Sequence, residues 1–409
     1  MSIVIRTIAP DEYAAAIDVM TSAFLDRPDI ARVAESVRDR WDAGRTWVAF
    51  DGARACGTFR SWATELTVPG GATLPAAAVS AVTVLPTHHR RGIMTGMAAK
   101  EHAAIRERGE AVGVLWTAEY PIYGRLGYGP ATRTGTMRLD VSRTRFHGAP
   151  ATGVELVTPD PTVRDEVRSI HEMWRVRRAG EIRRAPIRFD VALGLEDNPW
   201  AGRWKGFLAL RRDAGGAVDG FVRYNALRTW DDDHAGAVVE VQELYALTDE
   251  AYAALWRFLA EIDLLATVKA PGRPLDERLP WLLANARAAR MTDLVDGLWV
   301  RLFDVPRALE ARCWATAGSL VLEVVDDDAA GGRSRLALDA GPDGATCRPT
   351  GRDADLVVPV AALGAAYLGG TRLCDAVIGT GFEEPTPGAL AVADRLFRAA
   401  DEPWCSTGF

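Results

Sequence analysis

The segment from Val82 to Gly96 constrains the fold most strongly, because it joins an apolar strand to a helix through a basic turn that contains a glycine. It reads Val-Thr-Val-Leu-Pro-Thr-His-His-Arg-Arg-Gly-Ile-Met-Thr-Gly. Apolar residues then recur at helical spacing up to Gly109, and another strand is predicted over residues 111–117. A strand, turn, helix and strand in this order must pack on a sheet, so we expect an α/β domain.

The length of 409 residues predicts about two to four domains. With 48% apolar and 25% charged residues, each domain has enough apolar side chains to form a core. A proline-rich stretch at 150–161 predicts a boundary. From about residue 300 the pattern predicts strands over 319–325, 334–339 and 356–358, followed by helices over 361–368 and 389–399. We expect domains over residues 1–150, 151–298 and 299–409, the last of the α+β class.

The balance of 48 Lys and Arg against 55 Asp and Glu gives a net charge of −7, which argues against a general nucleic-acid binder. Five scattered cysteines suit a reducing compartment, and no Cys or His spacing indicates a metal site. The longest uncharged stretch, 66–89, is broken by prolines and glycines, and the N-terminus lacks the pattern of an export signal. We therefore expect a cytoplasmic protein without a metal, a membrane span or a nucleic-acid partner.

Residues 164–188 are rich in arginine, with eight in this segment. Met173, Trp174 and Val176 lie among them, so the pattern predicts an amphipathic helix whose arginines are solvated or pair across a subunit contact. A basic binding face is the alternative.

The basic turn after Val84 is a candidate anion site. Backbone N–H groups in the first turn of a helix are unpaired and aligned with the helix dipole, so they solvate an anion such as a pyrophosphate. Arg90 and Arg91 add positive charge, and Gly92 allows the backbone to approach a ligand closely. The alternative is an ordinary strand-to-helix turn with arginines at the surface.

A second motif, Ala-Glu-Tyr-Pro-Ile-Tyr-Gly-Arg-Leu-Gly-Tyr-Gly-Pro, follows the next strand at residues 118–130. Together the two motifs resemble those of the GNAT superfamily of N-acetyltransferases, although His89 and Met94 depart from the consensus of its pyrophosphate loop. The chain further resembles the Eis-like (enhanced intracellular survival) group of this superfamily. The shared features are Val-Thr-Val-x-Pro ahead of Arg-Arg-Gly, the extended motif around Tyr123, and a chain that ends in Gly-Phe.

The resemblance implies a GNAT catalytic domain, a central GNAT-like domain without a working cofactor loop, and a C-terminal domain similar to sterol carrier proteins. It also implies acetyl-CoA as co-substrate, amines of aminoglycoside-like polyamines as acceptors, and a homo-oligomer, which by this resemblance is a hexamer. The residues expected to bind acetyl-CoA are Val82, Thr83, Val84, His89, Arg90, Arg91, Gly92, Ile93, Met94 and Thr95.

Acetyl transfer requires a neutral amine and a proton for the departing thiolate. Tyr123 is the expected general acid, because a phenol with a pKa of about 10 is close enough to a thiol pKa of about 8.5 to protonate the thiolate. The resemblance points to the terminal carboxylate of Phe409 as the base or as an anchor for the amine. It also places Asp26 in the substrate pocket, with Phe24 and Glu402 as further candidates for binding a cationic substrate.

An alternative function is a non-catalytic lipid carrier or a binding protein that responds to acetyl-CoA. In that case the C-terminal domain binds an apolar ligand and the acetyl-CoA site regulates it. The sequence does not separate the two, because an apolar core and a lipid cavity have similar patterns. Turnover of acetyl-CoA on an amine would favour the enzyme.

Overall fold

The computed structural model of the protein forms two compact units. The described residues are 3–148, 152–227, 230–231, 234–327 and 332–409. The first unit comprises the chain up to Thr132, Gly297–Ala400 and Gly408–Phe409, and the second comprises Arg133–Asp296 and Asp401–Thr407. The boundary predicted near residue 150 falls on residues 149–151, which lie outside the described residues.

The strands and helices are numbered along the chain. The strands are β1 Ile3–Thr7, β2 Thr46–Asp51, β3 Arg54–Thr67, β4 Thr73–Val84, β5 Val112–Trp116, β6 Gly129–Pro130, β7 Arg133–Asp140, β8 Val154–Val157, β9 Phe207–Arg212, β10 Val218–Leu227, β11 Trp230–Asp231, β12 His234–Ala235, β13 Ala237–Ala246, β14 Leu265–Arg273, β15 Ala289–Asp296, β16 Leu298–Leu302, β17 Gly318–Asp326, β18 Gly332–Gly341, β19 Gly344–Pro349 and β20 Leu356–Pro359. The helices are α1 Tyr13–Ala23, α2 Ile30–Val37, α3 Ile93–Glu107, α4 Tyr120–Tyr123, α5 Pro161–Arg175, α6 Pro186–Ala192, α7 Asp249–Ala260, α8 Val305–Ala311, α9 Val360–Ala366, α10 Leu373–Ala376 and α11 Ala389–Phe397.

The first unit is built on a seven-stranded sheet with the order β1-β2-β3-β4-β5-β16-β6. Strand β16 comes from much later in the chain, pairs antiparallel with β5 and is buried along its whole length. Helix α3 buries Ile93, Met97 and Ile105, the residues whose spacing predicted it. The α/β arrangement expected from the sequence is therefore confirmed.

Strands β4 and β5 run parallel but separate before β4 ends. They pair only over Ala76–Val79 and Val112–Leu115, whereas β4 continues to Val84. A register shift against β3 marks a β-bulge at Ala81, whose φ is 50°, and a bulge bends its strand. Beyond the paired segment, β4 has no partner strand on the β5 side among the described residues.

The second unit has a seven-stranded sheet with the order β15-β7-β14-β13-β10-β9-β8. Its parallel strands β13 and β14 also separate, because they pair only up to Glu240 whereas β13 continues to Ala246. The sheets do not follow a simple division of the sequence into consecutive segments. Strand β7 joins the second sheet, whereas β16, which follows that sheet in sequence, joins the first.

The last part of the first unit contains a four-stranded sheet with the order β19-β18-β17-β20. Strands β17, β18 and β20 and helices α9 and α11 form where the sequence predicted strands and helices, so the expected α+β class is confirmed. Helix α9 is almost fully buried between this sheet and its neighbours. In the described part of the chain, no helix has both the length and the apolar character needed to span a membrane.

Candidate active site

The turn before α3 has the geometry of an anion site. Gly92 is the N-cap of α3 with φ 72° and ψ 6°, and no side chain caps the helix. A Cβ at Gly92 would meet no atom within 4 Å, so the positive φ rather than lack of space requires glycine. Arg90 also has a positive φ, of 62°. The N–H groups of Ile93, Met94 and Thr95 lack intrahelical acceptors and point along the helix dipole toward this turn.

The positive charge of this turn is only partly compensated. Arg91 Nη1 lies 3.2 Å from Asp51, and this guanidinium lowers the pKa of the Asp51 carboxyl. Arg90 is exposed and pairs with no carboxylate of the described residues. One of the two predicted arginines is therefore available to an anionic ligand without losing an existing ion pair.

Where β4 and β5 separate, an opening forms between them, and the end of β4 presents its backbone groups along this opening. Val82 and Val84 are half-buried against the apolar core. The hydroxyl of Thr83 lies 2.6 Å from that of Thr58 on β3, so its side chain is used within the sheet. His89 Nε2 lies 3.0 Å from the Val84 carbonyl oxygen. A ligand extended along this edge would form hydrogen bonds with the backbone, as an added strand does, and would compete with His89 for that carbonyl.

Tyr123 ends helix α4, shortly after β5. Its side chain is 8% exposed and belongs to the apolar cluster against which Val82, Val84 and Met94 pack. Burial, with a smaller effect of the Glu119 charge, raises the pKa of Tyr123 to about 12. Its hydroxyl has no hydrogen-bond partner among the described residues. The structure thus brings a protonated phenol with an unused hydroxyl into the same cluster as the end of β4.

The glycines that follow Tyr123 in the motif have a packing role. Gly127 has φ 79°, and a Cβ there would overlap the guanidinium of the buried Arg301. A Cβ at Gly129 would overlap the carbonyl of Ala361 in α9. Close contact with β16 and α9 therefore explains these two glycines without any role in catalysis.

Phe409 packs against Trp62 of β3. Their ring centroids lie 4.8 Å apart at an interplanar angle of 82°. Trp62 is paired with Ala78, one residue before the last pair between β4 and β5. No ion pair of the terminal carboxylate is found within the described residues. The chain end is thus packed on the sheet at the level where β4 and β5 separate.

A buried polar cluster in the second unit holds the residues just before the chain end. The Ser406 N–H donates to Glu181 at 2.8 Å, and the Thr407 hydroxyl donates to the same carboxylate at 2.7 Å. Arg184 donates from Nε to the Thr407 hydroxyl at 2.7 Å and from Nη2 to the Tyr245 hydroxyl at 2.6 Å. We call these five residues the tail cluster. They fix the backbone two residues before the chain ends.

Sequence reasoning missed the tail cluster. Arg184 lies in the arginine-rich segment 164–188, for which solvated or intersubunit arginines were expected. That expectation is wrong for Arg175 and Arg184, which are both buried within the chain. The segment has an unusual density of positive charge, but no local pattern indicates that two partners of Arg184, Ser406 and Thr407, lie more than 200 residues further along the chain.

The opening between β13 and β14 in the second unit differs from the opening between β4 and β5 in the first unit. Thr248 caps α7, and Asp249 and Glu250 occupy its first turn, where their negative charges oppose an anionic ligand. Trp404 donates from Nε1 to the Gly272 carbonyl of β14 at 2.7 Å. A cavity of only about 60 Å³ lies there beside the tail. The tail of the chain thus lines the place that a cofactor would enter.

The predicted substrate residues lie in different units. Phe24 and Asp26 follow α1 in the first unit and are exposed, Phe24 by 56%. Glu402 lies in the second unit, where it accepts a hydrogen bond from Arg133 at 3.2 Å. Asp26 is therefore accessible to a cationic ligand, whereas the charge of Glu402 is already partly compensated.

Sequence comparisons agree with this architecture. The family described as Acetyltransferase (GNAT) domain matches residues 4–131, a second family of the same description matches residues 180–302, and the Sterol carrier protein domain family matches residues 305–406. The first match contains the anion turn and Tyr123. The fold and the site therefore define an acetyltransferase of the GNAT class with a sterol-carrier-like domain.

Individual relatives place the chain in one family within the GNAT class. An uncharacterized N-acetyltransferase of Streptomyces griseus is 41% identical over 419 residues and covers 100% of both chains. The N-acetyltransferase Eis of Mycobacterium tuberculosis is 39% identical over 317 residues, which is 75% of this chain and 74% of Eis. The crystal structure of Eis1 from Mycobacterium abscessus has a TM-score of 0.85, with 30% identity and 100% coverage of both chains. The chain belongs to the Eis family of GNAT N-acetyltransferases.

Proposed function

We propose that this N-acetyltransferase moves the acetyl group of acetyl-CoA to an amine of a cationic polyamine, with Tyr123 as general acid. The observation that carries the proposal is the Tyr123 phenol, which is protonated at neutral pH and has no partner for its hydroxyl among the described residues. It belongs to the apolar cluster that borders the unpaired end of β4. Such a group can donate its proton where the thiol of coenzyme A departs.

The chemical step forms a bond between the amine nitrogen and the carbonyl carbon and breaks the bond between that carbon and sulfur. Tyr123 gives its proton to the sulfur, and the nitrogen loses one proton to the terminal carboxylate or through it to water. A pKa of about 12 makes Tyr123 a weaker acid than a free phenol. Because the same apolar surroundings also raise the pKa of the departing thiol, the difference between the two pKa values stays small enough for proton transfer as the bond to sulfur breaks.

In this proposal the cofactor lies along β4 and ends at α3. The backbone of Val82 to Val84 binds the pantetheine arm, and the turn from His89 to Thr95 binds the pyrophosphate. The unpaired Arg90 and the uncapped N-terminus of α3 support this placement.

The acceptor is proposed to be an aminoglycoside-like or lysine-like amine. The exposed carboxylate of Asp26 and the terminal carboxylate of Phe409 attract a cation, and Phe24 offers apolar surface beside Asp26. An unperturbed terminal carboxyl has a pKa of about 3.3 to 3.7, so we propose that it orients the amine or removes its proton through water. Glu402 is a secondary candidate because Arg133 already pairs with it.

Replacing Tyr123 by phenylalanine tests the general acid. We expect kcat to fall at least about 100-fold, because general acid catalysis contributes about 10²- to 10⁴-fold, while binding of acetyl-CoA is unchanged. The assay measures release of the thiol from acetyl-CoA with a panel of amines. Tyr120→Phe is the matched control, since Tyr120 is 58% exposed and packs edge-on against Trp299. An unchanged kcat for Tyr123→Phe would contradict the assignment.

The assembly and the compartment are further parts of the proposal. We expect a homo-hexamer, which light scattering on purified protein tests, and a cytoplasmic location, which the five free cysteines support. The non-catalytic lipid carrier receives less support. The cavity of about 460 Å³ beside the sterol-carrier-like sheet is lined in part by Arg106, Asp304 and Asp326, whose charges oppose burial of a hydrocarbon chain.

A further inference from the structure

A row of positive charges crosses the second sheet. Arg138 of β7 lies directly opposite Arg290 on β15 and Lys269 on β14. Directly paired residues point to the same face of a sheet, so the three cations share one face. Like charges opposite each other destabilise a sheet. Repulsion within the row therefore lowers the stability of the sheet, and a bound anion would remove that repulsion.

The opposite face of the sheet is buried in the core, which explains why the three cations lie on the outer face. Met137 and Leu139, which flank Arg138 along β7, are buried in the core of the second unit. Because side chains alternate along a strand, this burial fixes Arg138 on the other face. The cations are thus presented by rigid strands and not by loops.

The row borders a cavity of about 340 Å³. Arg143 and Arg287 also line this cavity, which brings four arginines to one place. Thr267 and Thr292 line it as well and offer hydroxyl groups. Asp140 is the carboxylate in the lining, and it accepts a hydrogen bond from its neighbour Ser142 at 2.7 Å.

The four arginines are exposed, and Arg290 Nε donates to the backbone carbonyl of Arg287 at 3.4 Å. Within the parts of the chain that the structure describes, none of them forms an ion pair with a carboxylate. The charge of Lys269 is only weakly compensated, because the distance from its Nζ to the Glu240 carboxylate is 3.7 Å, which is longer than a hydrogen bond. Arg212 in the same unit shows the contrast, since it contacts Glu155 at 2.6 Å and Glu166 at 2.9 Å. A protein with a net charge of −7 thus keeps a cavity that is lined by four arginines and one carboxylate.

We propose that this cavity binds a small anion that carries two or more phosphate groups. The planar guanidinium group matches the oxygen atoms of a phosphate through two parallel hydrogen bonds. Four such groups around one cavity match several phosphate charges, and the threonine hydroxyls add further donors. The volume lies within the range of about 300 to 1,000 Å³ that is common for small-ligand sites. This site is separate from the turn at Gly92 and does not depend on the proposed reaction.

The test uses inorganic tripolyphosphate and the full chain, saturated with coenzyme A so that the turn at Gly92 is occupied. Calorimetric titration at constant ionic strength should show binding to the wild type. The double variant Arg138→Gln with Arg290→Gln should bind at least about tenfold more weakly, since two bidentate partners are lost. Arg348→Gln removes an exposed arginine from β19 and should bind like the wild type.

Two further measurements separate loss of the site from loss of the fold. The Tm of the double variant without ligand should not fall, because a repulsion between like charges is removed. Its kcat for acetyl transfer without the probe should equal that of the wild type. Absence of tripolyphosphate binding to the wild type, or equal weakening by Arg348→Gln, would overturn the proposal. A change of oligomeric state in the double variant without tripolyphosphate binding to the wild type would overturn it in favour of an interface.

Discussion

Replacing Glu181 by glutamine tests whether the tail cluster positions the end of the chain. The fully buried carboxylate accepts the Ser406 N–H at 2.8 Å and the Thr407 hydroxyl at 2.7 Å. Hydrogen bonds to a charged group contribute about 1.5 to 3 kcal/mol each, and glutamine keeps one acceptor oxygen, so we expect a loss of about 2 to 3 kcal/mol. Since about 1.4 kcal/mol corresponds to a factor of ten, the tail should open about 30- to 100-fold more often.

Hydrogen exchange at the Ser406 amide measures this opening directly. We expect its exchange rate to rise about 30- to 100-fold, in line with the loss of local stability. We also expect kcat to fall while the KM for acetyl-CoA stays constant, because Phe409 follows three residues after Ser406. Glu166→Gln is the matched control. Its partner Arg212 is a surface contact at 2.9 Å, and such pairs contribute at most about 1 kcal/mol.

The two readouts distinguish a positioning role from a purely structural one. Unchanged exchange at Ser406 together with full kcat would refute the reasoning about the tail cluster. Faster exchange with full kcat would leave the cluster as an anchor of the tail but would remove the terminal carboxylate from the mechanism. In this prediction Glu181 acts only through the tail, as a positioning residue.

Two other predictions concern the chain end and the pH. Adding one glycine after Phe409 moves the terminal carboxylate. Because misplacing a catalytic group slows a reaction, kcat in the thiol-release assay should fall at least about tenfold. A full rate in the extended chain would exclude the carboxylate from the reaction. Burial raises the pKa of Glu243, but Arg184 at 2.5 Å and Arg223 at 3.0 Å outweigh this and lower it from 4.5 to about 2. The ionised Glu243 therefore contributes about 3 kcal/mol above pH 4.5, and this stability is lost as the pH falls toward 2. Urea unfolding at pH 5 and pH 3 should show about 2 kcal/mol of that loss, since the rest is lost below pH 3, and an equal loss in Glu243→Gln would contradict it.

Tyr123 shows how much of the candidate site could be predicted from the sequence. Its motif identified the residue, and the local pattern before it predicted the strand that became β5. The sequence did not show that burial would raise its pKa to about 12, because the apolar cluster that contains Tyr123 is assembled from several elements, among them β4, α3 and β16. The residue type was therefore predictable, whereas its acidity depends on its tertiary surroundings.

The sequence alone determined the elements whose signals are local. The turn at Gly92, the buried face of α3 and the order of strands and helices near the C-terminus depend on neighbouring residues and on helical or strand periodicity. The bulge at Ala81 had no such signal, since glycine is the residue usually found at a positive φ.

Only the tertiary structure decided which distant segments meet. It placed β16 in the first sheet and β7 in the second, joined Glu181 to Ser406, and set Arg138 opposite Arg290. Periodicity shows which face of an element is buried, but it carries no information about which strand lies beside it. Strand register and the pairing of buried charges are fixed by packing between residues far apart in the chain, so they appear only when the whole chain is folded.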